Sequence, residues 1–577
     1  MLELIYNKVR NVVRKIDMKI ERAKYGYIEK LPKDISYFEG SMYDAVYEAS
    51  CKWPRNTAIE YFNLQITYKE LIKKINKVAC ALKAMGIEKG DRVTICMPNT
   101  PEAIYMFYAV NEVGAVANMV HPLSSEKEIE GYLNRSHSKF MLCIDMAYPR
   151  VEPILKNTEV EHLVVVPASR SMELIVRIIY WLTKGRKNHI KTTQKTMLWE
   201  QFIQKANKFI GNPHTRMNSE DLAAILYSGG TTGKPKGIML TNLNFNAQAL
   251  ASKYYGPEIV KPEYAFLTFL PNFHAFGLGT CTHTPLYNGL RVVLIPQFNG
   301  KKLQKYVRKY RFNVICGVPA VFEQLTKTKF GKNELKCLKG VISGGDAMSL
   351  TQKQKINEFL KAHGCKTEVR VGYGLTEASG VVAFSPVGIT DAADVIGYAL
   401  PDCKFLIKDL KEDKEVPYGE DGEILIAGPT VMQGYLDDAK ETEKTFVTIG
   451  KKQYLKTGDV GFIDKKGLLH FKTRIKRIII TNGYNVYPDN VEEVTLKCKQ
   501  IAKCAVVGIE DAQRGEIVKV FIVAKEGANQ RAIRKELGHI YKQFLAKYEI
   551  PRAMQFLEDL PKTKIGKVDF RVLQELE

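Results

Sequence analysis

Ser228-Gly229-Gly230-Thr231-Thr232-Gly233-Lys234-Pro235-Lys236-Gly237 is the stretch on which the reading of the fold turns. Before it, Asp221–Tyr227 contains an apolar run of strand length, and after it Ile238–Thr241 reads as a second strand. Four glycines, three hydroxyl side chains and two lysines therefore fall between two strands. Glycines let backbone N–H groups approach an anion closely, hydroxyls add donors and lysines add charge. Such a loop can hold a polyphosphate; the plainer alternative is a glycine-rich hairpin turn, which the density of Thr and Lys disfavours. The common P-loop does not fit. Its first glycine would fall at Ser228 and its final hydroxyl at Pro235, and a strand rather than a helix follows.

Working outward, 577 residues exceed one compact core and imply two or more domains. The excess of 85 basic over 63 acidic residues, net +22, admits nucleic acid, an anionic membrane surface or polyanionic small substrates as partners. No basic-aromatic module argues for nucleic acid, so none is expected. Eleven cysteines are scattered without a C-x-x-C pair, which speaks for a reducing compartment and against a disulfide framework or zinc site. The ten histidines form no metal-spaced cluster. The most apolar stretch, Ile104–Val120, is interrupted by Asn111, Glu112 and Asn118, and the N-terminus lacks an apolar signal segment. A cytoplasmic protein is expected, possible contact being peripheral to a membrane.

Residues 1–25 place Leu2, Ile5, Val9, Val12, Val13, Ile16 and Ile20 at helical spacing among lysines and arginines. This basic amphipathic helix can lie on anionic lipid, or dock on its own protein or a second subunit, as in a homodimer. From Ile66 to Val166 helical stretches alternate with the strands Arg92–Met97, Phe140–Ile144 and Leu163–Val166, the signature of an α/β domain with a largely parallel sheet. The rhythm resumes at Val292–Ile295 and Val314–Gly317. It breaks at residues 168–200, where Leu174–Leu182 is apolar and precedes Lys184, Arg186 and Lys187. That stretch fits an interfacial segment near a lipid-like substrate, or equally a surface helix. Hairpin turns at Gly419–Glu423 and Asp464–Gly467 predict antiparallel structure. Beyond Lys476, a helix over Val491–Lys499, strands Cys504–Ile509 and Val518–Lys525 and a helix over Ala532–Lys547 predict a small α+β domain.

The motifs taken in order resemble the adenylate-forming enzymes: acyl-CoA synthetases, aryl-CoA ligases, adenylation domains of peptide synthetases and beetle luciferases. The resemblance runs from about Tyr37 to the C-terminus. Ser228–Gly237 is similar to the family's phosphate loop, so Ser228, Gly229, Gly230, Thr231, Thr232 and Lys236 would grip the β- and γ-phosphates of ATP. Gly372-Tyr373-Gly-Leu-Thr376-Glu377 matches the second signature, implying that Tyr373 packs on adenine, Thr376 meets the phosphates and Glu377 ligates Mg²⁺. Ser343-Gly344-Gly345-Asp346 resembles the segment along adenine and the acyl pocket, although Asp346 stands where many relatives carry a small residue. Thr457-Gly458-Asp459 matches the motif whose aspartate accepts from both ribose hydroxyls. Arg474-Ile475-Lys476 matches the hinge signature, with Arg474 toward ribose or phosphate and Lys476 as pivot. Gly483 and Tyr484 fall in the segment lining the CoA tunnel, and Ile480 replaces a lysine that several relatives use in the second half-reaction. Lys567, at the end of Leu560–Lys567, corresponds to the lysine that reaches the acyl carboxylate and the α-phosphate. His274, in Pro271–Gly277, corresponds to the histidine beside the acyl site.

The resemblance implies an α/β fold: a large, multi-subdomain N-terminal domain with mixed and parallel sheets and a small mobile α+β C-terminal domain. The expected boundaries are an extension over 1–40, an AMP- and acyl-binding domain over 41–473, and a cap over 474–577 hinged at Lys476. The implied activity is an ATP- and CoA-dependent ligase joining a small-molecule carboxylic acid to coenzyme A through an acyl-adenylate. Segment 168–200 and the lack of an amino-acid-recognising signature favour a medium- or long-chain fatty acid. An aryl-CoA ligase and an enzyme loading a carrier protein are the alternatives; a catalytically dead ligand-binding relative is disfavoured by intact Lys567, Glu377 and Asp459.

Overall fold

The computed structural model describes residues 35–172, 177–178, 180, 182, 190–228, 235–386, 388, 394–481, 484–511, 513–563 and 567–576. The basic stretch 1–25, most of 174–182 and the glycine-rich centre of the loop lie outside them. The described residues form two compact units. The larger is drawn from Met1–Asp391, Ile396–Lys404 and Ile426–Leu455, the smaller from Ala392–Val395, Phe405–Leu425 and Lys456–Glu577. The α/β class, with a large N-terminal and a small C-terminal part, is as expected.

The larger unit contains two sheets. In one, Leu222–Ser228 lies parallel to Val116–Met119, followed in parallel by Arg92–Cys96, Phe140–Ile144, His162–Val166 and Thr196–Leu198. Lys236–Thr241 returns antiparallel to Leu222–Ser228, and Gly434–Tyr435 adds an antiparallel edge. The other sheet runs parallel from Thr57–Tyr61 through Arg291–Leu294, Ala265–Thr268, Val314–Gly317 and Gly340–Gly344 to Val369–Leu375. Strand Gly380–Phe384 then turns back antiparallel. Parallel strands covered on both faces need continuous apolar runs, which is what Phe140–Ile144 and Val292–Ile295 supply.

Helices start where the sequence offers caps. Thr67 and Glu70 form a reciprocal capping box on Tyr68–Ala84, and Ser125 with Glu128 does the same for Glu126–Ser136. Pro101–Glu112 begins on Thr100 with proline in its first turn, and every one of its residues is buried. That explains the apolar stretch there: it is a core helix and the strand after it. No helix among the described residues is long and apolar enough to cross a membrane.

In the smaller unit, Asp459–Ile463 pairs antiparallel with Leu469–Arg474, the turn being closed by Asp464, whose carboxylate accepts from the Lys466 and Leu468 amides at 2.8 and 2.9 Å. A second sheet orders Tyr484–Val486, Ile479–Thr481, Gly515–Ala524 and Ile501–Asp511, and Ala553–Phe556 runs parallel to Gly515–Ala524. Its core closes beneath the helices Pro488–Thr495 and Gln530–Phe544. The helix expected over Val491–Lys499 is shifted to Pro488–Thr495, because Pro488 is preset for a first helical turn.

Candidate active site

The loop is pinned at both ends. Ser228 ends its strand directly opposite Lys236, the first residue of the return strand. Beneath it lies a buried polar network: the Tyr227 hydroxyl donates to Asn118 Oδ1 at 2.8 Å, and Asn118 Nδ2 donates to Thr94 and Ser136 at 2.8 and 2.9 Å. Arg135 donates to the Pro235 carbonyl. Gly229, Gly230, Thr231 and Thr232 lie outside the described residues. Lys236 pairs with Glu441 and sits 4.8 Å from the centre of the Tyr435 ring.

Glu377 is delivered to this loop from the other sheet. Strand Val369–Leu375 carries Gly372 and Tyr373 and ends in the single turn Thr376–Ala378. Ser379 then takes a left-handed φ of 62° and donates to the Thr430 carbonyl at 2.8 Å. The Glu377 carboxylate Oε1 accepts from the Ser228 hydroxyl at 3.4 Å and from the Tyr435 hydroxyl at 3.2 Å, while its backbone carbonyl accepts from Met432 at 2.8 Å. Burial, and then the Glu377 charge, hold the Tyr435 phenol well above its ordinary range, so it remains a donor. Sequence reasoning missed both Tyr435 and Glu441; Gly434–Tyr435 is a two-residue strand with no periodicity to read.

Gly344 and Gly372 are register partners at the C-terminal ends of adjacent parallel strands, where ligands of open α/β sheets bind. A β-carbon on Gly344 would lie 3.0 Å from the Gly372 carbonyl and 3.3 Å from the Phe276 ring, so only glycine leaves this approach open. Gly345 adopts φ +79°. Phe276 brings the Pro271–Gly277 segment to this edge, and the His274 carbonyl on it accepts from the Leu278 amide at 2.9 Å. The larger unit therefore gathers Ser228, Lys236, Glu377 and Tyr435 in one cluster, and Gly344, Gly372 and the His274 segment along one strand edge.

The smaller unit carries the remaining candidates. Asp459 is 4% exposed and lies opposite Arg474 in the hairpin, whose Nε is 3.2 Å from its Oδ1. Gly458, at φ +70°, donates to the Glu423 carboxylate at 3.2 Å. Lys476 is exposed in the single turn Ile475–Arg477; its neighbour Arg477 is anchored on Asp489 and Glu492 at 3.0 and 2.6 Å. Tyr484 is exposed and stacked on Tyr548, ring centres 4.7 Å apart, while Gly483 is outside the described residues. The Lys567 amide donates to Thr563 Oγ1 at 3.2 Å, and the Lys567 carbonyl accepts from the Thr563 amide at 2.7 Å.

No group of three or more His, Cys, Asp or Glu side chains among the described residues could hold a metal by itself. A single carboxylate fits Mg²⁺ well, since that ion keeps waters and completes its shell with substrate phosphates. Both hydroxyl contacts fall on Glu377 Oε1, which leaves Oε2 available for such a cation.

A two-unit α/β fold, a glycine-rich hairpin edged by lysine and carboxylate, and a glycine-lined strand edge define a nucleotide-using enzyme. Residues 47–436 match the AMP-binding enzyme family and residues 490–567 its C-terminal domain; the chain belongs to this family. It is 30% identical to the long-chain-fatty-acid–CoA ligase of Bacillus subtilis, over 96% of this chain and 97% of that one. The long-chain-fatty-acid–CoA ligase of Haemophilus influenzae is 28% identical, over 94% of this chain and 96% of its own. In fold the chain is similar to ATP-bound MatB from Rhodopseudomonas palustris, with a TM-score of 0.80 at 24% identity, covering 93% of this chain and 99% of that one.

Proposed function

We propose that this chain, an AMP-forming acid–CoA ligase, acts on a medium- or long-chain fatty acid and proceeds through an acyl-adenylate. The observation that carries the reading is the cluster of Ser228, Lys236 and Glu377 at the loop, in a chain that matches a long-chain-fatty-acid–CoA ligase over nearly its full length.

In the first step a carboxylate oxygen attacks the α-phosphorus of ATP, the bond to the bridging oxygen breaks and pyrophosphate leaves. Two anions must approach, so positive charge and donors have to be in place beforehand. Ser228, Thr231, Thr232 and Lys236 hold the β- and γ-phosphates, with the Gly229–Gly230 backbone beside them. Thr376 donates to the phosphates and Glu377 would hold Mg²⁺, which supplies charge neutralisation when bound. Gly344, Gly345, Gly372 and Tyr373 flank adenine, Asp459 and Arg474 address the ribose, and His274 lines the carboxylate end of the acyl site. Lys567 pairs with both reacting anions.

In the second step the CoA thiol attacks the acyl carbon, AMP leaves and the thiol proton passes to solvent. The cap turns about Lys476, withdrawing Lys567 and bringing Gly483 and Tyr484 to the thiol path. Adenylate is a good leaving group, so this step needs mainly positioning.

Pyrophosphate exchange measured across a panel of saturated fatty acids and cinnamate-type acids tests the substrate. Highest turnover is expected with the fatty acids; highest turnover with cinnamates would sink the fatty-acyl reading.

A further inference from the structure

The net charge of +22 is unevenly distributed: residues 301–339 alone hold eleven basic and two acidic side chains. The fold gathers them on one face of the larger unit. Helix Leu303–Tyr310, the stretch 327–339 and helix Leu350–Ala362 close over a single apolar cluster that includes Leu303, Val307, Leu335, Leu338, Ile356 and Leu360. Arg308 reaches across to Glu334, and the Leu335 amide donates to the His363 carbonyl at 3.1 Å. The three segments are thus one surface.

That surface is unmatched in charge. Of the two acids within 301–339, Glu334 is taken by Arg308 and Glu323 by Lys327 at 2.9 Å, while helix Leu350–Ala362 adds Glu358 against Lys353, Lys355 and Lys361. Lys301, Lys305, Lys332, Lys336 and Lys339 are exposed and form no ion pair among the described residues. The apolar stripe of helix Leu303–Tyr310 already faces the core, so what remains outside is ammonium. Concentrated like charge raises the energy of the folded state and creates a field that a polyanionic surface would relieve.

The chemistry of the face selects among polyanions. Nine of the eleven bases are lysines, mobile point charges without the planar fork that reads phosphate or base edges. None of the exposed large apolar side chains lies between 301 and 366, so the lysine-bearing segments themselves carry no platform on which bases could stack; exposed Phe62 and Leu64 border the face beside Asn63, which accepts from Lys309 at 2.6 Å. A diffuse anionic sheet meets these conditions better than a nucleic acid. We propose that this lysine-rich face is a docking surface for an anionic phospholipid bilayer, held at the headgroups by unpaired ammonium groups. It does not depend on which acid the enzyme takes.

The test is co-sedimentation of the full chain with phosphatidylcholine vesicles with and without phosphatidylserine, at low and high salt. A surface lysine near an anionic leaflet contributes on the order of a fivefold factor in binding. Allowing for lysines that do not touch the surface, K301Q/K305Q/K332Q/K336Q should weaken binding to the anionic vesicles by about a hundredfold. High salt should remove the difference. A control, K497Q/K535Q/K542Q/K547Q on the smaller unit, should bind as the parent does. Pyrophosphate exchange with a soluble acid should be unchanged in both, which reports folding and is read independently of lipid. If the quadruple variant does not fold, K301Q/K305Q and K332Q/K336Q replace it, each with an expected loss of about tenfold. Unchanged vesicle binding in the face variants, equal loss in the control, or parent binding to duplex DNA but not to vesicles would overturn the proposal.

Discussion

Replacing Tyr435 by phenylalanine removes one oxygen from the candidate site and leaves the ring. That oxygen donates to Glu377 Oε1 at 3.2 Å; the only other side-chain donor to the same atom among the described residues, Ser228, stands at 3.4 Å. A hydrogen bond to a charged group contributes about 1.5–3 kcal/mol net, and the lower end applies because Glu377 is partly solvated. About 1.5 kcal/mol corresponds to roughly a tenfold fall in kcat/KM for ATP. The ring keeps its place beside Lys236, and Tyr435 is only 6% exposed, so packing is preserved. The assay is pyrophosphate exchange at a series of Mg²⁺ concentrations, with thermal unfolding followed in parallel. If Tyr435 orients the Glu377 carboxylate, Tyr435→Phe should need more Mg²⁺ for half-maximal exchange while its unfolding temperature moves little. Tyr435→Leu should add the loss of the contact with Lys236, about 0.5–1 kcal/mol more. An unchanged Mg²⁺ requirement, with any rate loss matched by a loss of folded protein, would refute the orienting role.

Lys567→Ala is expected to abolish adenylation yet largely spare thioester formation from supplied acyl-AMP; equal loss of both half-reactions would contradict a lysine that acts only in the first. Burial pushes the Glu112 carboxyl up to about 8, so the folded state binds the extra proton between the unfolded value and that pH. Its contribution to stability is full below the ordinary carboxylate range and declines by about 1.4 kcal/mol per pH unit as pH rises through the window. Glu112→Gln should therefore gain stability relative to the parent from pH ~5 to ~9 in urea unfolding; parallel curves would remove Glu112 as the cause. A β-carbon on Gly374 would lie 1.4 Å from the Gly380 carbonyl oxygen, so Gly374→Ala should cost more than about 4 kcal/mol and reduce the yield of soluble protein.

Much of the fold was legible because its signals are local. The strands flanking the loop announce themselves by composition, and Thr67, Ser125 and Pro101 mark their helices by capping chemistry. What stayed hidden depends on contacts remote in sequence. Leu222–Ser228 lies beside Val116–Met119, about a hundred residues earlier, and no pattern in either strand specifies that neighbour. Tyr435 reaches Glu377 because an edge strand of only two residues pairs with Lys236–Thr241, too short to leave a periodic trace. The Asp459–Arg474 pair has the same origin. Motif resemblance assigns each to nucleotide separately, whereas the hairpin register, with an irregularity after Val460, sets them opposite one another.

That pairing, with the one at Lys236, bears on how the enzyme binds its nucleotide. Lys236 is matched by Glu441 and Asp459 by Arg474, so neither group stands with an unbalanced charge. Asp459 is nearly buried but its partner Arg474 is 65% exposed, and Lys236 and Glu441 are 22% and 32% exposed, so each pair is partly solvated and contributes on the order of 1 kcal/mol. A polyphosphate or a pair of ribose hydroxyls can therefore displace the partner at small cost, while the pairs hold the side chains near the positions proposed for binding. The unpaired lysines of residues 301–339 differ in that respect. No carboxylate among the described residues pairs with Lys301, Lys305, Lys332, Lys336 or Lys339, which is why the excess positive charge points to a partner outside the chain rather than to the nucleotide.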